Sequence, residues 1–548
     1  MAATCERVRR AARRALESVA RLVHPASGRR GARLLLAGRS LRKFAPVKTS
    51  HESLWLKTAP RPSIPPLQGD LTVDVCIVGG GITGITAAAL LQQAGKTVAL
   101  LDAGKLGNGV TGFTTAHLTE ALDTRWYELI KTFGKEGARL AAQSQRAAIE
   151  RIASLVEEES LDCGFRSVPG YFYCERDAGS GSNAAGDAEV AREFEAARAV
   201  GLQVSLADRA PLPFATGRAV RFENQARFHP LRYCLSLAQK LLSRGAFIHE
   251  DTRAVEIRDG EPCTVHTAHG TVTAAHVLVC THSPVNDRFF LQTKLAQYRS
   301  YVVAARLTQP DPQLDALFWD NQDPYHYLRM EDGLLLAGGE DHKVGQKADT
   351  REPYERLRAW VRARFGAVTF EDEWSGQVVE TLDGLPYVGR NATERNVFVA
   401  TGFAGNGMTH GTMAALLLRD LALGRVNPWA SVYAATRIST SGALEWAREN
   451  VDFPLHLIGD KLKPAQLHAL SELARGEGRL VEVDGEKLAA YRADDGKLTL
   501  LQPACTHLGC TVGWNPAEKS WDCPCHGGRF NAEGEVINGP PLTPLKRR

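Results

Sequence analysis

"LTVDVCIVGGGITGITAAALLQQAGKTVALLDAG", residues 71–104, sets the fold of the first half of the chain. Val73 to Val78 is an apolar, β-branched run ending in glycines, which predicts a buried strand. Ile82 to Ala94 is rich in small residues and predicts a helix. Thr97 to Leu101 predicts a second strand. At the turn from strand to helix, Gly79, Gly81 and Gly84 form G-x-G-x-x-G. Gly79 permits the turn, Gly81 lets backbone approach a pyrophosphate, and Gly84 lets helix pack close on sheet. The helix start, at Ile82 and Thr83, offers amide donors and partial positive charge to phosphates. Asp102, 18 residues beyond Gly84, is placed to accept from a ribose hydroxyl. A glycine-rich turn without a ligand leaves Asp102 unexplained, so the stretch reads as a dinucleotide site.

Around that stretch the chain has 548 residues, enough for two to four domains, with 44% hydrophobic and 23% charged residues. No uninterrupted apolar run reaches the roughly 18 residues of a membrane-spanning helix, so no transmembrane segment is expected. The net charge of +4 hides an asymmetry. Residues 1–50 hold 13 Lys and Arg against Glu6 and Glu17, and the remainder holds 53 basic against 60 acidic residues. An acidic body excludes nucleic acid as an obvious partner. In the arm, Val8, Ala12, Ala15, Leu16, Val19, Leu22 and Val23 recur at helical spacing among Arg7, Arg10, Arg13, Arg14 and Arg21. A membrane-surface helix or an organellar targeting segment reads this way. The plainer reading is a poorly ordered basic extension over residues 1–52.

From about Ser53 to about Arg437 the sequence resembles the FAD-dependent D-amino-acid oxidase/glycine oxidase superfamily. The resemblance is carried by "GNGVTGFTTAHLT" (107–119), "FHPLRYCLSLAQKLLSRGAFIHEDTRAVEI" (228–257), "HVLVCTHS" (276–283), "DGLLLAGGEDHK" (332–343), "ETLDGLPYVGR" (380–390) and "NVFVATGFAGNGMTHGTMAALLLRDL" (396–421). It implies FAD as the dinucleotide, with Thr114 and Thr115 in the segment beside the flavin and Val255 meeting the adenine. It also implies a second flavin contact at Gly402, Gly405, Gly407, Met408 and Thr409, where a helix start would face the ring's pyrimidine end. No cysteine lies between Trp374 and Asp383, so the FAD is expected to be noncovalent. The chain has one dinucleotide fingerprint, whereas a flavin reductase fed by NAD(P)H usually carries a second nucleotide site. The hydride donor is therefore expected to be an organic substrate.

"QYRSYVVAARL" (297–307) and "YHYLRMEDGLLLAGG" (325–339) alternate as strands of a large sheet. In the family such a sheet roofs the flavin, which makes Tyr298, Tyr301, Tyr325, Tyr327 and Arg329 pocket candidates. Each tyrosine reads equally well as a half-buried sheet residue. His117 and His326 read as polar structural residues, and no catalytic acid or base stands out.

Four of the eleven cysteines fall between Cys505 and Cys525, a local site rather than a secreted disulfide scaffold. The block is "CTHLGCTVGWNPAEKSWDCPCHGGRF" (505–530). Its residues alone admit a zinc site, a redox dithiol or an iron–sulfur ligand loop. Zinc fingers seldom open with C-x-H, and a thioredoxin-like dithiol needs C-x-x-C at a helix start. The pattern C-x-H…C-x-x-H, with 15 residues between, resembles the Rieske [2Fe–2S] domain over about Pro464 to Leu545. By that resemblance Cys505 and Cys523 ligate one iron, His507 and His526 the other, and Cys510 and Cys525 form a disulfide. Replacing two thiolates by imidazoles raises the potential into roughly −150 to +300 mV. High-potential respiratory members carry a serine and a tyrosine where this chain has Gly528 and Phe530, so a potential in the lower part of that range is expected.

The expected fold is an α/β Rossmann-like FAD-binding domain interleaved with an α+β substrate domain on a large mixed sheet, followed by an all-β Rieske domain. The expected boundaries are 53–445 for the oxidoreductase body, 446–463 for a linker and 464–548 for the Rieske domain. The expected activity is dehydrogenation of a small molecule, an amine or amino acid, at a C–N bond. Electrons would leave singly through the cluster to a one-electron acceptor protein or a quinone-type acceptor, in the cytoplasm. The alternatives are an oxidase reducing oxygen at the flavin with a structural or sensing cluster, or a redox-sensing or assembly partner docked through the basic arm. A Rieske oxygenase would need an iron domain downstream, and only 22 residues follow His526.

Overall fold

Apolar runs bounded by glycine become the central strands of a parallel sheet because both faces of such a sheet are covered. Leu71–Val78 is the middle strand of an eight-stranded sheet in the computed structural model, flanked in parallel by Val98–Leu101 and Thr271–Val279. Phe247–His249 and Val397–Thr401 extend it in parallel, and Tyr387–Arg390 pairs antiparallel at one edge. The structure describes residues 51–176, 183–286, 291–309, 311–391, 393–437 and 470–548. All of them belong to one compact unit, Lys48–Arg548. The basic arm over residues 1–50 and the expected linker 446–463 lie outside the described residues. Among the described residues no helix is long and apolar enough to cross a membrane.

The helix Ile82–Gln93 connects the first two strands and is buried from Ile82 to Leu91. Its small residues admit the helix Gly407–Ala422 at close range: a Cβ on Gly411 would meet Thr83 Oγ1 at 2.7 Å. That approach brings two helix N-termini, from segments over 300 residues apart, to the same edge of the sheet.

The second sheet has nine strands and is almost wholly antiparallel, running from Val368–Thr381 through Leu295–Leu307, Leu334–Lys343 and His326–Glu331 to Arg166–Glu175 and Thr216–Arg227. One pair, Leu317–Asp320 with Arg166–Glu175, is parallel, so the sheet is mixed as expected. Side chains alternate between faces along each strand. On Leu295–Leu307, Tyr301, Val303 and Ala305 point into a core with the helix Glu352–Phe365, while Ser300 and Val302 point to a cavity on the opposite face.

The C-terminal part is all β. A three-stranded antiparallel sheet (Glu477–Val483, Glu486–Arg492, Leu498–Leu501) accompanies a four-stranded one (Gly513–Asn515, Ser520–Asp522, Arg529–Asn531, Val536–Asn538). Its core centres on Trp521, Phe530, Leu501 and the cysteines.

Candidate functional site

The glycine turn builds a cradle that side chains cannot enter. Gly79 has φ +108°, and a Cβ there would lie 2.4 Å from Cys280 O; one on Gly84 would lie 2.0 Å from Gly79 O. Asp102 stands at the end of the second strand, where its carboxylate accepts from Gly80 N (2.7 Å) and Gly104 N (2.8 Å). Burial pushes its carboxyl above the ordinary range, opposed by those two amide bonds. A cavity of about 330 Å³ runs along this turn. Gly79, Gly81, Ile82, Thr83, Asp102, Gly407 and Met408 all line it. Gly84 supports the turn from beneath.

Val255 does not join them. Its side chain is 47% exposed, and Arg253 and Ala254 line the groove instead. Gly402 and Thr409 act from behind the wall. A Cβ on Gly402 would strike Thr381 at 2.2 Å, and Thr409 Oγ1 accepts from Thr119 N at 3.1 Å.

A second cavity, of about 110 Å³, adjoins the first. The two share Val110, Ala404, Gly407 and Met408, so the helix Gly407–Ala422 begins at their common wall. Thr114, Thr115, Gly405, Tyr325 and Tyr327 line this smaller cavity. Tyr301 and Arg329 do not. Tyr301 lies on the other face of its strand, where its hydroxyl meets His342 Nε2 at 2.8 Å. Arg329 is fully buried, donating to Ala116 O (2.8 Å) and pairing with Glu331, so it clamps loops together. Tyr298 pairs across its strands with Lys343 and Val378 and is not among the cavity residues.

Residues without a sequence signal complete the cavity: Asp123, Arg125, Asn406, Trp319, Ser300 and Gln377. Asp123 sits between the two glycine-containing walls, accepting from Gly405 N (2.5 Å) and Tyr325 Oη (3.3 Å). Burial raises its pKa, against the Gly405 bond and the Arg125 charge. The Arg125 guanidinium lies over the Phe172 ring at 4.0 Å. His117 also faces the cavity, and burial lowers its pKa to about 3, so it is a neutral imidazole.

Cys505 and Cys523 lie on two loops of the C-terminal domain, and both thiols are buried. The rings of His507 and His526 stand 5.0 Å apart, edge to face, on the same loops. Burial, helped by His507, lowers the pKa of His526 to about 4, which keeps it in the neutral form a metal requires. A disulfide joins Cys510 to Cys525 and ties the loops together. Two buried thiols, with one buried and one half-buried imidazole on the same two loops, match the donor set of a cluster with sulfur on one iron and nitrogen on the other. The first groove fits a dinucleotide equally well, since its floor is bare backbone amide and its end is a carboxylate.

The two sites touch. Gln377 lines the smaller cavity, and its Nε2 donates to Gly527 O at 2.9 Å, one residue from His526. Its amide also bonds to Gln297.

The model of the FAD dependent oxidoreductase family matches residues 74–421, and that of the Rieske [2Fe-2S] domain matches residues 464–547. A Bacillus subtilis protein named as a Rieske 2Fe-2S iron-sulfur protein, YhfW, is 35% identical over 509 residues, covering 91% of this chain and 98% of that one. The gamma-glutamylputrescine oxidoreductase of Escherichia coli is 24% identical over 401 residues, 70% of this chain and 88% of its own. Among solved structures, glycine oxidase from Geobacillus kaustophilus shares the fold with a TM-score of 0.57 at 20% identity, over 67% of this chain and 99% of that one. With the geometry, these matches make the chain an FAD-dependent oxidoreductase that also binds a [2Fe–2S] cluster: it belongs to the DAO family and carries a Rieske domain.

Proposed function

We propose that the protein is a dehydrogenase that oxidises a C–N bond of a small amine or amino acid and delivers the electrons singly, by way of its Rieske cluster, to a separate one-electron acceptor, a protein or a quinone-type molecule. The contact through Gln377 carries this reading, because one side chain belongs to the substrate cavity wall and holds the loop of His526. When bound, the flavin supplies a hydride acceptor and the cluster a one-electron carrier.

The remaining roles belong to side chains. Gly79 and Gly81 with the amides of Ile82 and Thr83 would hold the diphosphate, Gly84 supporting the turn beneath them, and Asp102 would hold a ribose. Cys505 and Cys523 hold one iron, His507 and His526 the other. In the cavity, Asp123 attracts a substrate ammonium and Arg125 a carboxylate, while Tyr325 and Tyr327, kept protonated by burial, offer hydroxyls that orient the C–N bond. The amine substrate in the name of the Escherichia coli relative accords with this pairing. A cytoplasmic location accords with the six cysteines of the body, Cys76 to Cys280, all of which remain thiols.

The test is anaerobic. A panel of amines and amino acids is added to the oxidised protein while flavin absorbance and the cluster's EPR signal are followed. Bleaching of the flavin followed by appearance of the reduced-cluster signal is expected. A cluster that stays oxidised beside a bleached flavin, with the flavin reoxidised only when air is admitted, would make the protein an oxidase.

A further inference from the structure

The groove beside the glycine turn is not built by the body alone. Val536, Ile537, Asn538, Gly539, Pro541 and Leu542 belong to the C-terminal domain, yet they line the same cavity as Gly79–Thr83 and Asp102. The segment meets the body at two points. Near its start, Arg253 Nη2 donates to Val536 O at 3.4 Å, and Arg253 itself lines the groove under the influence of Asp102 on the body and Glu535 on the C-terminal domain. Further along, Gly539 stands over the body's Ser283 and Val285, where a Cβ would find Val285 Cγ1 at 3.7 Å. Behind it, Val536–Asn538 pairs with Arg529–Asn531, which follows directly on the loop of Cys523 and His526. Ile537 is 48% exposed although apolar, so its side chain is not spent on its own domain's core.

We propose that the segment 536–542 is part of the FAD site, closing the groove over the half of the cofactor that Asp102 and the Gly79–Gly84 turn hold. The body supplies the charged and amide contacts, and the C-terminal domain supplies an apolar wall with one amide side chain, Asn538. FAD then leaves only when this segment lifts, so cofactor retention and docking of the C-terminal domain are linked: each strengthens the other by the same free energy. This holds whether or not electrons travel from flavin to cluster, so the experiment that tests the relay does not decide it.

Two measurements on the full chain test it. The first compares amide hydrogen exchange of the holoenzyme with that of the same protein freed of FAD and still carrying its cluster. FAD is expected to slow exchange over residues 536–542 as well as over Gly79–Gly84. The second measures the rate at which diluted holoenzyme releases fluorescent FAD. Ile537→Glu sets a carboxylate against the diphosphate and is expected to release FAD about tenfold faster, a change of one decade in affinity at unchanged rebinding. Ile537→Gln, of equal size and no charge, stays within about threefold on the same scale, and the visible absorption of the cluster reports that the domain is folded in each variant. Protection confined to the body, or release from Ile537→Glu within a factor of two of the parent, overturns the proposal. In that case the segment is interdomain packing only.

Discussion

Gly528 shows how much one missing side chain constrains. Two residues beyond His526, it has no room for the serine of high-potential relatives: a Cβ would lie 2.7 Å from Pro541 Cγ and 3.5 Å from Cys505 Sγ. Pro541 also lines the dinucleotide groove, so the residue that excludes a hydroxyl from the cluster serves the other site. Phe530 is fully buried in the same apolar cluster as Cys505 and Cys523. Hydrogen bonds to cluster sulfurs stabilise the reduced, more negative state and raise the potential. Phe530→Tyr is therefore expected to raise the midpoint by on the order of 60 mV, the one-electron equivalent of a tenfold preference. Protein-film voltammetry of parent and variant measures it, and an unchanged or lower midpoint refutes the donor argument. At this scale the sequence is legible where chemistry demands one residue type, as at Gly79, Asp102 and the Cys–His block. Asp123, Arg125 and Gln377 carry no such mark, because a carboxylate, a guanidinium or an amide becomes a site residue only through what folds against it.

Elements are more legible in this sequence than the faces they present. The strand, helix and strand of residues 71–104 fall within two residues of their expected limits, because each period is written over many positions. Which face of a strand meets a ligand is a matter of parity. Tyr301 lies on the face of its strand away from the cavity, although the strand itself is plain in the alternation. On the strand His326–Glu331, His326 is held by an aromatic ring and two carboxylates. Its ring stacks on Trp360 at 4.6 Å, with Nδ1 3.1 Å from Asp320 Oδ2 and Nε2 3.5 Å from Glu340 Oε1. Burial alone would lower its pKa, but the two carboxylates overcome this and hold it up to about 9. The native state thus favours the imidazolium, and its stabilisation is complete below an unfolded pKa of about 6.5 and disappears as pH rises through about 9. The shift amounts to on the order of 3 kcal/mol. Thermal melts at pH 6 and pH 9.5 should show the parent losing stability at the higher pH. His326→Gln should lose much less between the two, and equal losses in both proteins count against the ion pair.

Across the whole molecule, the two sites work together only if the C-terminal domain stays docked, and Glu518 is the residue that locks it. From the turn before Ser520–Asp522 it accepts from Arg299 on the large sheet (2.6 Å) and Ser375 on the neighbouring strand, and pairs with Arg529 of its own domain. Thr350 of the body adds a bond to Asn515 at 2.6 Å. Burial works against the Glu518 carboxylate, but the two guanidiniums win and lower its pKa to about 2. The lock is therefore closed above the ordinary carboxylate pKa of about 4.3 and fails as pH falls through about 2. Glu518→Gln keeps the shape and removes the charge, leaving Arg299 and Arg529 facing each other across the seam. Losing one member of a buried ionic cluster costs about 3–5 kcal/mol, more than enough to make undocking frequent when each 1.4 kcal/mol is tenfold. Neither the substrate cavity nor the thiols and imidazoles of the cluster loops include Glu518. Anaerobic stopped-flow should thus show the flavin of Glu518→Gln bleached by substrate at nearly the parent rate, while cluster reduction lags by at least about tenfold. Oxygen uptake under air should rise correspondingly, as electrons stay longer on the body. If the cluster keeps pace with the parent, Glu518 is dispensable for docking, and the contact at Gln377 and Gly527 suffices to hold the two sites together.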